Sequence, residues 1–284
     1  MKKSISYWAF PGGLEGTKDV AEAIGQAAEM GYDAIELGCA ESGELGLDVS
    51  EKRCAEYRAA ADKAGIEISS LCSGLYWGRN FGSSRPEDRA QCAEDVKRML
   101  QIAAWLGVDA LLYIPAAVDV FFDPSADIVS YEVALERSTE GTRSVLPTAE
   151  KHRVALCIEN VWSKFLLSPT EMARFIDGFG SEYVGAYFDV GNVLAYGYPE
   201  QWIRILGSRI KRVHFKDFKK AVGDANGFCD LLEGDVNWPE VMKALREVGY
   251  DGYCTAEMIP LYAHHPLVRV RNTGAAMDAI LGRA

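Results

Sequence analysis

Several broad classes of protein are excluded by what this sequence lacks. No apolar run reaches the roughly 18 residues of a membrane-spanning helix. The opening MKKSISYWAFPGG has too short an apolar stretch, and no small-residue cleavage site, to serve as a secretory signal, so a cytoplasmic location is expected. Positive charge is in deficit: 30 Lys and Arg against 41 Asp and Glu leave a net charge of -11, which disfavours nucleic acid and anionic membrane surfaces as partners. The 7 cysteines, at positions 39, 54, 72, 92, 157, 229 and 254, are odd in number and include no C-x-x-C pair. Neither a disulfide framework nor a zinc cluster is supported, and they read as reduced, buried small hydrophobes. There is no G-x-G-x-x-G and no Walker motif, which a doubly wound nucleotide-binding sheet would carry after an early strand. No linker, low-complexity stretch or composition break appears, so one domain spanning residues 1–284 is expected.

What the chain has is alternation. Eight short apolar runs read as strands: SISYWAF, DAIELG, IEISSLCSG, DALLYIPA, ALCIEN, VGAYFDVGN, RVHFKDF and GYCTAEM. Between them lie seven helical patterns with apolar residues three and four apart: VAEAIGQAAEMG, SEKRCAEYRAAADKAG, RAQCAEDVKRMLQIAAWLG, SYEVALERSTEGTRSVLPTAEKH, SPTEMARFIDGFG, PEQWIRILG and WPEVMKALREVG. Helix starts are expected at Thr17, Ser50, Ser84 before Pro86, and Ser168, where Pro169 and Glu171 complete a capping-box pattern. Stops are expected at Gly31, Gly65, Gly107 and Gly249. A βα unit repeated eight times at about 35 residues each predicts an α/β fold, a single (β/α)8 TIM barrel.

In such a barrel the carboxyl ends of the strands face the active site, and four consecutive strands here end in groups able to bind metal. The fifth ends ALCI-Glu159-Asn160, the sixth AYF-Asp189, the seventh carries RV-His214 and the eighth ends CTA-Glu257. Each alone also reads structurally, as a cap, a satisfied core histidine or an ion-paired carboxylate. Three carboxylates and an imidazole brought together without a cation would repel one another, and a divalent ion resolves this. Carboxylate-rich ligation with one imidazole suits one ion of Mn2+ foremost, or Mg2+ or Co2+, better than structural zinc.

The motifs CIEN, FDVGN, VHFKD, LLEGDVNWPEVMKAL and the AEM ending resemble the xylose-isomerase-like sugar phosphate isomerase/epimerase superfamily, over nearly the whole chain. The spacing is most similar to the pentulose-phosphate 3-epimerase branch, which is hexulose-6-phosphate isomerase-like, with the ketohexose 3-epimerases more distant. The resemblance implies a metal held by Glu159, Asp189, His214 and Glu257, with Glu159 and Glu257 also moving the proton. It further implies a sugar or sugar phosphate substrate and a homodimer or tetramer. Where free-ketose epimerases carry a substrate-binding His and an Arg, this chain has Asn192 and Lys220, and Asn192 fits the phosphate-sugar branch better. Epimerisation requires two bases on opposite faces of an enediolate, whereas an aldose-ketose isomerase manages with one. Inosose dehydratases, hydroxypyruvate isomerases and 3-keto-glycoside lyases would use the same ligand set, so related polyol chemistry stays an alternative. A non-catalytic sugar-binding barrel would not need the carboxylate pair, and an endonuclease-like multi-zinc site would need more than 4 His.

Further substrate-binding candidates come with structural alternatives. Lys216, two residues after His214, can bind an oxyanion or be solvated. Glu36, ending the second strand, can accept from sugar hydroxyls or form a salt bridge in the barrel mouth. Trp77 is one of several aromatics, with Tyr7, Trp8, Phe10 and Trp162, placed to stack on a sugar or in the core. His264 and His265 sit in the loop after the last strand, where rim residues cover substrate. His152 precedes the fifth strand at the opposite end and reads as structural.

Overall fold

The structure is a computed structural model and describes residues 1–283. The eight apolar runs form β1 (Lys2–Ser6), β2 (Ala34–Cys39), β3 (Glu67–Ser73), β4 (Ala110–Tyr113), β5 (Ala155–Glu159), β6 (Val184–Asp189), β7 (Ile210–Phe215) and β8 (Tyr253–Ala256). Each pairs in parallel with its neighbours and the ring closes through β1 and β8. Helices cover the outside while the inner face is filled, so β2, β5 and β6 are buried at every position. That double burial is why these strands read as continuous apolar runs and not as alternating ones.

The outer ring comprises α1 (Val20–Glu29), α2 (Glu51–Ala64), α3 (Pro86–Leu106), α4 (Tyr131–His152), α5 (Pro169–Asp177), α6 (Pro199–Leu206), α7 (Trp238–Glu247) and α8 (Pro266–Leu281). Local chemistry sets their ends. Ser50 accepts from the Arg53 N–H at 3.2 Å, and Ser168 accepts from the Glu171 N–H at 3.2 Å while Glu171 reaches back to the Leu167 N–H at 3.0 Å. Gly65 and Gly107 end α2 and α3 in the left-handed conformation. Two expected starts move. Asp19 caps α1 by accepting from the Glu22 N–H at 2.7 Å, while the Thr17 hydroxyl turns to the Gly12 carbonyl. Ser84 donates to Asp127, and Arg85 occupies the boundary of α3.

Two strand ends also differ from expectation, both at the mouth. The first run breaks after Ser6 into a 3-10 turn, Tyr7–Ala9, where Ser6 Oγ accepts from the Trp8 N–H at 3.3 Å. The seventh stops at Phe215, and Asp217–Phe218 instead pairs antiparallel with Phe228–Cys229 in a small ribbon. Asp217 holds this excursion. Its buried carboxylate accepts from the N–H groups of Phe218, Leu232 and Val236 at 2.9, 3.0 and 3.2 Å, and from the Trp238 indole at 3.0 Å. A Cβ at Gly234 would lie 2.0 Å from Asp217 Oδ1, so the glycine of the LLEGDVNWP stretch is required by this knot.

All seven cysteines are free, six of them buried, and burial pushes the Cys157 and Cys254 thiols up to about 12. Among the described residues no helix is long and apolar enough to cross a membrane.

Candidate active site

The register of β5 to β8 brings the four predicted ligands to one level. Asp189 lies beside His214, and His214 beside Thr255. Side chains repeat every two residues along a strand, so Glu257, two beyond Thr255, faces the same interior as His214. Glu159 lies beside Tyr187, two residues before Asp189, and therefore joins them. One ligand atom from each of Glu159, Asp189, His214 and Glu257 lies within 4.8 Å of the others, and all four residues are buried. His214 turns Nδ1 toward the carboxylates, 3.4 Å from Glu159 Oε1 and 3.8 Å from both Asp189 Oδ2 and Glu257 Oε2.

This donor set fits a divalent cation. Asp189 Oδ2 is buried without a hydrogen-bond partner and Glu257 Oε2 is met by the Lys216 ammonium, a costly arrangement for clustered carboxylates unless a further cation faces them. The Lys216 ammonium supplies part of that charge, 3.3 Å from Asp189 Oδ2 and in contact with Glu257. Burial pushes the Glu159 carboxyl up to about 7 against the pull of His214 and Lys216. Burial likewise raises Asp189. For Lys216 burial acts the other way, but the charges of Asp189 and Glu257 outweigh it and hold the ammonium strongly protonated.

Glu36 stands one layer deeper than the sequence suggested. It is fully buried and does not line the cavity. Its Oε1 and Oε2 lie 3.1 and 3.3 Å from His214 Nε2, and Oε2 accepts from Ser70 Oγ at 3.0 Å and from the Tyr187 hydroxyl. Once the imidazole is neutral, as a metal ligand must be, a Nε2 proton donated to Glu36 leaves the Nδ1 lone pair directed at the carboxylate cluster. Burial alone would raise Glu36, but the His214 charge and these hydrogen bonds hold it below the ordinary carboxylate value.

Above the cluster opens a cavity of about 640 Å³. Asn192, Lys216 and Trp77 line it, as do Trp8 and Trp162. Asn192 is held by its amide donating to the Asn160 carbonyl at 3.1 Å, and its own carbonyl accepts the Trp162 indole N–H at 2.8 Å. Asn160, given no role in the sequence reading, braces the Asp189 backbone at both ends, with bonds of 2.8 Å each to its N–H and carbonyl. His264 is exposed and does not line the cavity; Ile259 and Pro260 of its loop do. Phe121, Phe122 and Phe228 line the wall without having been anticipated. The only signal in the sequence was the Phe pair in a loop, DVFFDP, with no helix to bury it.

A closed (β/α)8 barrel with a carboxylate-and-imidazole cluster at the carboxyl ends of its strands defines a class of small-molecule sites at the barrel mouth. Within that class the chain belongs to the xylose isomerase-like TIM barrel family, whose model matches residues 24–275. It is similar to L-ribulose-5-phosphate 3-epimerase UlaE of Salmonella heidelberg, 24% identical over 249 residues that cover 86% of this chain and 84% of the relative. Among solved structures it resembles D-psicose 3-epimerase of Clostridium cellulolyticum H10, with a TM-score of 0.79 at 19% identity over 99% of both chains. It also resembles the IOLI protein with a bound zinc atom, with a TM-score of 0.80 at 16% identity over 100% of this chain and 99% of that one. At those identities the structural matches establish the barrel.

Proposed function

We propose that the protein is a divalent-metal-dependent sugar isomerase/epimerase whose reaction is 3-epimerisation of a ketose, with Glu159 and Glu257 as the acid–base pair. One observation carries this reading: two buried carboxylates, from strands three apart around the ring, approach a single point at the floor of the cavity. The 3-epimerase relative supports the reaction type, and the zinc-bound neighbour supports a divalent ion.

Glu159, Asp189, His214 and Glu257 would hold the ion, and the carboxylate-rich set favours Mn2+ among the candidates. When bound, the cation supplies Lewis-acid polarisation of the substrate carbonyl. Glu159 takes the C3 proton from one face and Glu257 returns one to the other, which is why two bases are required and one would suffice for an isomerase. Lys216 reaches the same floor, where its ammonium can donate to a substrate oxygen, and the rings of Trp8 and Trp162 exclude water and face the sugar C–H groups.

The test is deuterium incorporation from D2O, with Mn2+-loaded protein and a panel of ketoses and ketose phosphates read by NMR. Deuterium at C3 with inversion is expected, and deuterium at C1 would make the protein an aldose-ketose isomerase. Glu159→Gln and Glu257→Gln should each lower turnover by roughly 10²- to 10⁴-fold, one of them retaining C3 exchange without inversion. Full activity in both variants overturns the two-base mechanism.

A further inference from the structure

The wall above the carboxylate cluster is built of rings. Trp77 meets Phe121 and Phe122 edge to face at centroid distances of 6.4 and 5.2 Å, Phe121 meets Trp162 at 5.8 Å, and Trp162 packs on Phe228 at 5.1 Å. These five come from the loops after β3, β4, β5 and β7, and all line the cavity. Phe121 and Phe122 remain 45% and 55% exposed, apolar surface that a ring-bearing ligand would cover. At about 640 Å³ the cavity is of a size that encloses drug-sized ligands, well beyond a single pentose.

The same wall is poor in groups that bind phosphate. Its charged side chains are Glu41, Glu159, Glu257 and Lys216, and the single cation already contacts Asp189 and Glu257. Recognition of a phosphate dianion calls for further Arg or Lys, or for free N–H groups at a helix start. The short helical turn after β6 offers none at Asn192, whose N–H donates to Asp189 Oδ1 at 2.7 Å. The start of α8, at His265 and Pro266, lies outside the lining.

We infer that the substrate is a neutral keto sugar extended, at its end away from the carboxylates, by a second ring, and that Trp77, Phe121, Phe122 and Trp162 select for that ring over a terminal phosphate. This rests on the epimerase reading for the reacting end alone. A sugar ring and an aromatic ring share the chemistry that matters here, a neutral apolar face, of C–H groups in the one and of π electrons in the other, that packs on aromatic rings.

Calorimetric titration of the Mn2+-loaded protein tests the inference using D-glucose, cellobiose and phenyl β-D-glucopyranoside, which carry no ketone to turn over, and L-ribulose and L-ribulose 5-phosphate, each first equilibrated with the protein so that no net reaction heat remains. At least one two-ring probe should bind about tenfold or more tightly than D-glucose, the magnitude of a few aromatic contacts. Cellobiose and the phenyl glucoside distinguish a sugar ring from an aromatic one. Trp77→Ala should remove most of that gain, and so should Phe122→Ala, a half-exposed position outside the core, with circular dichroism checking that the fold is kept. L-Ribulose 5-phosphate should bind no more tightly than L-ribulose. A tenfold preference for the phosphate, or no gain from either two-ring probe, overturns the inference. A ring gain accompanied by no deuterium exchange from any ketose overturns the epimerase reading instead.

Discussion

Replacing Glu36 by Gln changes one atom in a side chain that touches neither solvent nor the cavity, yet it should weaken metal binding. The carboxylate accepts at both oxygens: from His214 Nε2 at 3.1 and 3.3 Å, from Ser70 at 3.0 Å and from Tyr187. Glutamine has one acceptor and one NH2 group. With its oxygen toward His214, the imidazole keeps its tautomer but loses the anion that stabilises it. With the NH2 toward His214, the ring proton is driven to Nδ1 and points into the carboxylate cluster. A buried hydrogen bond to a charged group contributes about 1.5–3 kcal/mol, and loss of the partner behind a ligating His costs about 10- to 100-fold in metal affinity, or ~1.4–2.7 kcal/mol. The two estimates agree. Competition for Mn2+ against a fluorescent chelator should therefore show a 10- to 100-fold weaker Kd for Glu36→Gln, with native circular dichroism. Glu36→Leu should lose more, since no acceptor remains for the Nε2 proton. A Mn2+ affinity within twofold of wild type, in a folded Glu36→Gln protein, would refute the proposed link between Glu36 and the ligand.

Three other perturbations have defined outcomes. Asp217→Ala strands three backbone donors and the Trp238 indole, so denaturant unfolding should show a loss of at least about 3 kcal/mol, and a loss below 1 kcal/mol would contradict the knot described for its carboxylate. Gly141→Ala would place a Cβ 2.2 Å from the Phe81 ring and should cost about 1–3 kcal/mol. Combining it with Phe81→Leu should recover part of that cost in a double-mutant cycle, and strict additivity would place the strain elsewhere. Metal binding should release protons. The metal-free His214 is held well above the ordinary imidazole value, because Glu36 and the neighbouring carboxylates outweigh burial, and Glu159 is raised to about 7. Both groups bind the ion deprotonated, so affinity should fall as pH falls, by about tenfold per pH unit from His214 alone at neutral pH and more steeply below pH 7 as Glu159 also protonates. Calorimetry in buffers of differing ionisation enthalpy reads the number released, and an enthalpy independent of buffer would falsify the assignment.

The four clustered residues were legible because strand order and strand-end position follow from the chain alone, and a parallel barrel turns those ends to one side. Depth was not legible. Glu36 ends an apolar run much as Glu159 does, but β2 continues to Cys39, which leaves Glu36 three residues below the rim. Loop residues were harder still: His264 and Trp77 look alike as polar-tipped rings beside strand ends, and only the path of each loop decides that Trp77 faces the cavity and His264 faces solvent. The eighth helix, Pro266–Leu281, was not among the seven patterns because Arg269, Arg271 and Asn272 interrupt its apolar face, although Arg269 is buried against Asp230. The caps were read well at Ser50 and Ser168, and misread at Thr17, two residues ahead of the true cap, and at Ser84, one residue ahead of Arg85.

The knot at Asp217 has a consequence for how such a barrel can change its preferences. One carboxylate fastens both feet of the excursion between β7 and α7, while the stretch between the feet carries Phe228 to the cavity wall. Anchoring and selecting are thereby assigned to different residues. With Phe228–Cys229 held in the ribbon and Asp230 bound to Arg269, variation in length and side chains is left to the turn from Lys219 to Asn226, where it would leave His214 on one flank and the Trp238 start of α7 on the other in place.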